Sequence, residues 1–130
     1  MDILVVDENS GVRETLAAVL GDEGHSVTGA ATGQEGLHRA LEDAPDFILY
    51  DLHVTDLAPT EFLSRFHGSG GRSPVIIMYA YANGDPAIEA MRHGAYDCLA
   101  KPFTTAEISL TLQKSVVREE FRKARGSLWG

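Results

Sequence analysis

Two kinds of apolar stretch alternate along this chain: short unbroken runs, and longer segments with an apolar residue every three or four positions. The unbroken runs are Ile3–Val6, Phe47–Tyr50 closing on Asp51, and Val75–Tyr79 behind Pro74. A short apolar run bounded by a turn signal, such as Ala44-Pro45-Asp46 ahead of Phe47, predicts a strand covered on both faces. These are β1 (Ile3–Val6), β3 (Phe47–Asp51) and β4 (Pro74–Tyr79). His25–Thr28 is shorter and more polar and predicts an edge strand, β2. Tyr96–Leu99 predicts a last short strand, β5, stopping before Lys101-Pro102.

The periodic segments fall between the runs. Ser10 is positioned to cap α1, whose Val12, Leu16, Val19 and Leu20 share one face, with Gly21 and Gly24 stopping it. Thr32 begins α2, with Glu35 completing a capping box and Leu37 and Leu41 expected inward. Pro59 suits the first turn of α3, which carries Phe62, Leu63 and Phe66. Asp85-Pro86 opens α4, holding Ile88 and Met91, and Gly94 ends it. Helix α5 starts at Thr104 or Thr105 and buries Ile108 and Leu112. Gly68-Ser69-Gly70-Gly71 reads as a surface loop, being too short for a linker and lacking any phosphate-loop pattern.

Strand and helix thus alternate about five times. The fold class predicted is α/β, a doubly wound (βα)5 arrangement around a five-stranded parallel sheet, with right-handed crossovers. Strand order 2-1-3-4-5 would set the carboxyl ends of β1 and β3 side by side at the switch point. Asp7, Glu8 and Asp51 would then share one small space.

Three carboxylates so gathered repel one another unless a cation joins them. Mg²⁺ suits such a site, since it takes few carboxylates, keeps several waters and leaves room for a phosphoryl oxygen. Lys101, beyond the end of β5, brings an ammonium to the same edge, where it could bind a phosphoryl group. Carboxylate nucleophile, metal and lysine together suit phosphoryl transfer onto an aspartate. Taken singly, each residue has a plainer role: an Asp after a strand is often a helix cap or turn former, and Lys-Pro a simple turn.

At 130 residues the chain is expected to be one domain with a real core. A net charge of -8 argues against this segment gripping nucleic acid. One cysteine excludes a disulfide framework and fits a reducing compartment. No apolar run is long enough to cross a bilayer, and the start lacks the basic region of a signal peptide, so a cytoplasmic location is expected. His25, His38, His67 and His93 show no ligand spacing and read as surface residues.

Ile3-Leu4-Val5-Val6-Asp7-Glu8, then Asp51, then Lys101-Pro102-Phe103 resemble the receiver domain of bacterial two-component response regulators, over nearly all of the chain. The stretch Gly94 to Phe103 is most similar to receivers of the nitrogen-regulatory, enhancer-binding class. The resemblance implies a flavodoxin-like fold over residues 1–122, with 123–130 the start of a linker or a truncated tail. It implies that Asp51 accepts a phosphoryl group from a histidine kinase and that Asp51, Glu8 and, through water, Asp7 hold Mg²⁺ together with the His53 backbone carbonyl. Lys101 would pair with Asp51 or its phosphate, and the Lys101–Pro102 bond would be cis. The domain would be no enzyme beyond slow self-dephosphorylation. Phosphorylation would act on the α4-β5-α5 face, homodimerisation and a C-terminal output domain that regulates transcription.

The chain departs from that pattern in four places. Tyr79 stands where the family usually has Ser or Thr, and Cys98 where it has an aromatic switch residue. One expectation is that Tyr79 moves and Cys98 leaves space for its ring; the other is that Tyr79 merely packs at the strand end. Thr55 replaces a common proline, and Ala58-Pro59 replaces Asp-Gly or Gly-Gly. His53 and Tyr81 fall at positions that flank the phosphoryl group, and two bulky groups there are expected to slow dephosphorylation. Cys98 reads as a small hydrophobe rather than a reactive thiol. Leu110, Val117 and Phe121 give α5 a second apolar stripe beside basic Lys114, Arg118, Arg122, Lys123 and Arg125; the end is either a fraying terminus or a connector or dimer helix leading to an output domain. Two rival readings remain: an interaction module that keeps the fold but never takes phosphate, with Tyr79 blocking the pocket, and a metal-dependent phosphatase using Asp51, weakened by the lack of a second acid or base near it in sequence and by a chain short for a substrate pocket.

Overall fold

The computed structural model describes residues 1–80 and 84–129, with side chains placed through position 126 and from position 85 onward after the gap. Five parallel strands form one sheet in the order β2-β1-β3-β4-β5. The strands are β1 (Asp2–Val6), β2 (Ser26–Ala30), β3 (Phe47–Asp51), β4 (Val75–Ala80) and β5 (Asp97–Lys101). The helices are α1 (Ser10–Asp22), α2 (Gly33–Asp43), α3 (Pro59–Gly68), α4 (Gly84–Arg92) and α5 (Thr105–Trp129). The predicted fold class and strand order are those observed.

Side chains alternate across each strand, which sorts the core into two layers. Leu4, Val6, Ile48, Tyr50, Val75 and Ile77 pack on one side with Phe62, Leu63 and Phe66 of α3. Ile3, Val5, Leu49, Ile76, Met78 and Leu99 pack on the other with Leu16 and Leu20 of α1 and Ile108 and Leu112 of α5. With both faces covered, β3 is buried along its whole length, and that is why it reads as an unbroken apolar run.

Several boundaries and faces differ from expectation. Asn9, not Ser10, caps α1: its Oδ1 accepts from the Val12 N–H at 3.2 Å. Gly21 lies inside that helix, and the turn is made at Gly24, whose φ of 92° suits a residue without Cβ. In α2, Thr32 does cap Glu35 N–H at 3.1 Å, but Leu41 is 40% exposed and Leu37 only half-buried. The sheet-facing positions are Gly33, Gly36 and Ala40, because the helix lies so close to β1 that a Cβ on Gly36 would meet Val6 Cγ2 at 2.6 Å. In α4, Ile88 and Met91 face outward while Ala87 and Ala90 are buried, for the same preference of a close helix for small residues. Strand β5 reaches Lys101, two residues beyond the predicted end. Helix α5 opens on a reciprocal box, Thr104 Oγ1 accepting from Glu107 N–H while Glu107 accepts from Thr104 N–H. It continues without a break across position 122, with Leu110, Val117 and Phe121 exposed.

Candidate functional site

Topology brings three loop tips together at the carboxyl edge of the sheet. Asp7 follows β1 directly, its N–H bonded to the Ala30 carbonyl of β2 at 3.1 Å. Its Oδ1 accepts from Asn9 N–H at 2.9 Å, and its own carbonyl accepts from the Arg13 guanidinium. Asp51 closes β3 in register with Met78 of β4. Both carboxylates are buried, Asp7 to 2% exposure and Asp51 to 5%. Lys101, at the end of β5, joins them: its Nζ donates to Asp7 Oδ2 at 2.6 Å and to Asp51 Oδ1 at 3.1 Å. The Lys101–Pro102 peptide is cis.

Electrostatics follow from this placement. Burial raises the Asp51 pKa first; the Lys101 bond and charge pull it back without cancelling the rise, and Asp7 adds to it. Burial alone would lower Lys101, but its hydrogen bonds to Asp7 and Asp51 outweigh that, so the ammonium titrates above its ordinary value. The lysine is therefore a fixed positive charge at neutral pH.

Glu8 is placed differently from Asp7 and Asp51. It is exposed and turned to the loop after β3, where Oε1 accepts from Thr55 N–H at 2.6 Å and Oε2 from Thr55 Oγ1 at 3.2 Å. Among the described residues no three His, Cys, Asp or Glu side chains are gathered to hold a metal ion as they stand. The donor set nevertheless suits one. Two buried carboxylates share a single ammonium, Glu8 on the neighbouring loop brings a third, and all the candidate ligands are hard oxygens. Only Glu8, a solvent-exposed side chain, has to turn.

The loop carrying His53 and Thr55 is pinned from beneath. Tyr50 Oη donates to the Leu57 carbonyl at 2.6 Å, and burial, with the charges of Asp56 and Asp51 behind it, drives that phenol's pKa well above the usual range. Asp56 accepts from the Gly33 and Gln34 N–H groups, at 2.8 and 3.0 Å, at the start of α2. Its slight burial acts the other way, but those two bonds leave its pKa lowered. These partners, Thr55, Asp56 and Gly33, were not singled out as site residues from the sequence: contacts so far apart along the chain leave no spacing pattern, and the one hint was the absence of a proline at position 55.

His53 is exposed beside Asp51, and its charge pulls the Asp51 pKa down. Tyr79 is half-buried at the end of β4. Register pairs Ile77 with Cys98 and Tyr79 with Ala100, so Tyr79 shares a sheet face with two small residues of β5. Tyr81 lies outside the described residues. Cys98 packs against the Tyr50–Phe62 core layer, and burial, with Asp97 adding, pushes its thiol up to about 11. At pH 8 that leaves about one hundredth of an ordinary cysteine's thiolate. Reaction with an aromatic disulfide should accordingly run about 100-fold slower than for a free cysteine peptide; a comparable rate would show the thiol to be activated.

Comparison with known proteins places this fold and sequence in one family. Residues 3–113 match the response regulator receiver domain. Regulatory protein AtoC of Escherichia coli is 32% identical over 121 residues, 93% of this chain and 26% of that protein. Sporulation initiation phosphotransferase F of Bacillus subtilis is 34% identical over 112 residues, 86% of this chain and 90% of that one. The receiver domain of NtrX from Brucella abortus superimposes with a TM-score of 0.82 at 29% identity, covering 88% of this chain and 97% of that one. AtoC and NtrX are regulators of the nitrogen-regulatory, enhancer-binding type, the subclass read from Gly94 to Phe103. The chain spans about a quarter of AtoC's length. Receiver domains of this family typically use Mg²⁺. With the parallel 2-1-3-4-5 sheet, the Asp7–Lys101–Asp51 cluster at its carboxyl edge and a family match over most of its length, this chain belongs to the response regulator receiver domains of two-component systems.

Proposed function

We propose that this domain stores a signal as an acyl phosphate on Asp51, received from a histidine kinase in the cytoplasm. The observation that carries the reading is Lys101 Nζ, held at hydrogen-bond distance from both Asp7 and Asp51 at the mouth of the switch point. An Asp51 carboxylate oxygen attacks the phosphorus of a phosphohistidine already protonated on its other ring nitrogen; the P–O bond forms, the P–N bond breaks with its electron pair going to nitrogen, and a neutral imidazole leaves. Asp7, Glu8 and Asp51 with the His53 carbonyl would hold Mg²⁺, which when bound neutralises charge on the phosphoryl oxygens. Lys101 places a second positive charge there without needing to titrate. Alignment and charge neutralisation carry most of such a rate, so no further acid or base is required and the domain need not be an enzyme in its own right.

Phosphorylation would bias a two-state equilibrium in the α4-β5-α5 face. Both helices of that face expose large apolar side chains, Ile88 and Met91 on α4 and Leu110, Val117 and Phe121 on α5. Such surface suits self-association through this face and transmission to a C-terminal output domain acting in transcription. Tyr79, paired with small Ala100 and on the same sheet face as small Cys98, would be the side chain that reorients.

The test is intact mass after incubation with Mg²⁺ and a small acyl phosphate. One added phosphoryl group is expected, absent in Asp51→Asn. No adduct at all would favour an interaction module that keeps the fold without taking phosphate, and rapid turnover without a stable adduct would favour a phosphatase.

A further inference from the structure

We propose that Thr55 is a latch on Glu8, holding this carboxylate away from Asp7 and Asp51 and so competing directly with the divalent cation for it. The inference rests on the reading of Asp7, Glu8 and Asp51 as a Mg²⁺ site and concerns how that site is regulated.

Both Glu8 oxygens are engaged by one residue, 47 positions further along the chain: the Thr55 N–H at 2.6 Å and the Thr55 hydroxyl at 3.2 Å. Hydrogen bonds to a carboxylate are shorter and stronger than those between neutral groups. The donor side of the pair is rigid. Val54 and Leu57, flanking Thr55 and Asp56, are buried to 5% and 1% exposure. Tyr50 ties down the Leu57 carbonyl, and Asp56 is fastened to the first N–H groups of α2. The acceptor side is free to turn, since Glu8 is exposed on a flexible stem. The moving part is therefore Glu8, and it swings between a fixed pair of donors and the buried Asp7–Asp51 pair.

Two consequences follow. Without metal, the latch lessens repulsion in the pocket by drawing one of three negative charges outward. With metal, Glu8 must surrender both Thr55 bonds, so the apparent affinity is the intrinsic one reduced by the fraction of molecules in which Glu8 is released. Thr55 also couples metal binding to the β3–α3 loop, because release of Glu8 leaves its N–H and hydroxyl facing solvent. Proline at this position could supply neither donor. Thr55 is thus a positioning residue that sets the concentration of divalent ion at which the pocket fills.

The experiment is calorimetric titration with MgCl₂ on the whole chain as it stands, together with amide spectra of the Thr55 N–H. Thr55→Pro, which removes both donors, should bind Mg²⁺ about tenfold more tightly, the equivalent of one charge-assisted hydrogen bond released. Thr55→Val, which removes only the hydroxyl and leaves the backbone unchanged, should gain about two- to threefold. Thr55→Ser keeps both donors and should match the parent chain. In the parent chain, Mg²⁺ should shift the Thr55 amide proton upfield and speed its exchange, while the Gly33 and Gln34 amides on Asp56 stay protected. Mg²⁺ binding with equal affinity in Thr55→Val and the parent, and no response at the Thr55 amide, would overturn the latch while leaving the receiver reading intact. Binding by none of the chains would remove both the latch and the metal site; binding by Thr55→Pro alone would support the latch.

Discussion

Lys101→Met should cost about 2–3 kcal/mol of stability near neutral pH, and the loss should shrink as the solution is made acid. Methionine keeps the length and the apolar stem, so the change removes charge and two hydrogen bonds and little packing. What remains is two buried carboxylates with their shared ammonium gone, Asp7 having lost a bond of 2.6 Å and Asp51 one of 3.1 Å. Breaking one side of a buried ion pair costs about 3–5 kcal/mol; the cost here falls at or just below the lower figure because the Lys101 side chain keeps 23% exposure and Asp51, with its raised pKa, can take a proton. The pH dependence follows from the direction of each shift. Asp51 has a raised pKa in the folded chain, so its favourable contribution belongs to the protonated form, present in acid and lost as pH rises through the folded value. Without Lys101 to pull that value down, the penalty for ionising Asp51 grows, and the gap between variant and parent opens from about pH 4 toward neutrality. Lys101 itself, raised in the folded state, contributes fully below its ordinary pKa of 10.5 and loses that contribution only as pH climbs through the higher folded value. The parent should therefore show an alkaline loss that the methionine variant lacks. Urea unfolding at pH 4, 7 and 11 measures all three points, and a gap as large at pH 4 as at pH 7 would refute the account.

What could be read from the chain beforehand, and what could not, divides along a physical line. Parallel strands are buried on both faces, so Ile3–Val6, Phe47–Tyr50 and Val75–Tyr79 declared themselves as unbroken apolar runs. The direction of the chain through a parallel sheet then puts every strand's end at one edge, and this is how the sequence alone brings Asp7, Asp51 and Lys101 together. Helix faces were less legible. Periodicity weights large side chains, so it pointed to Leu41, Ile88 and Met91, all of which lie outward. Helices packed close to the sheet select for small volume instead, and Gly33, Gly36, Ala40, Ala87 and Ala90 carry little hydrophobic signal. The direction of Glu8 was illegible for another reason. Its acidic character marked it as a ligand, but the donors that hold it come from a loop whose shape depends on Tyr50 and Asp56 contacts with no local signature.

Gly33→Ala offers the sharpest measure of how tightly that loop is built, and about 3 kcal/mol of lost stability is expected. Gly33 is the first residue of α2, and its φ is not positive, so by conformational entropy alone alanine should be favoured by up to about 1 kcal/mol. Space reverses the sign. A Cβ there would lie 2.5 Å from Tyr50 Oη, 2.6 Å from Leu57 Cβ and 3.1 Å from Asp56 Oδ1. None of these is the loose end of a flexible chain. Tyr50 is fully buried with its ring 4.3 Å from that of Phe62, its hydroxyl is committed to the Leu57 carbonyl, and Asp56 is committed to Gly33 and Gln34. Relief requires α2 to back away from the sheet or the β3–α3 loop to lift, which adds about 1–3 kcal/mol of overpacking to the loss of a buried hydroxyl bond worth a similar amount. Gly21→Ala provides the contrast within the same molecule: it lies inside α1 with nothing within 4 Å of the added carbon, and should stabilise by about 0.5–1 kcal/mol. Urea unfolding of the two variants side by side should thus give opposite signs. If Gly33→Ala comes within 1 kcal/mol of the parent, the loop yields easily, and the rigid support for Thr55 and for the rim of the Asp51 pocket is gone with it. If the full loss is seen, the pocket's rim is held in place by the absence of one methyl group at the start of α2, and Glu8 is left as the side chain of the pocket that can turn.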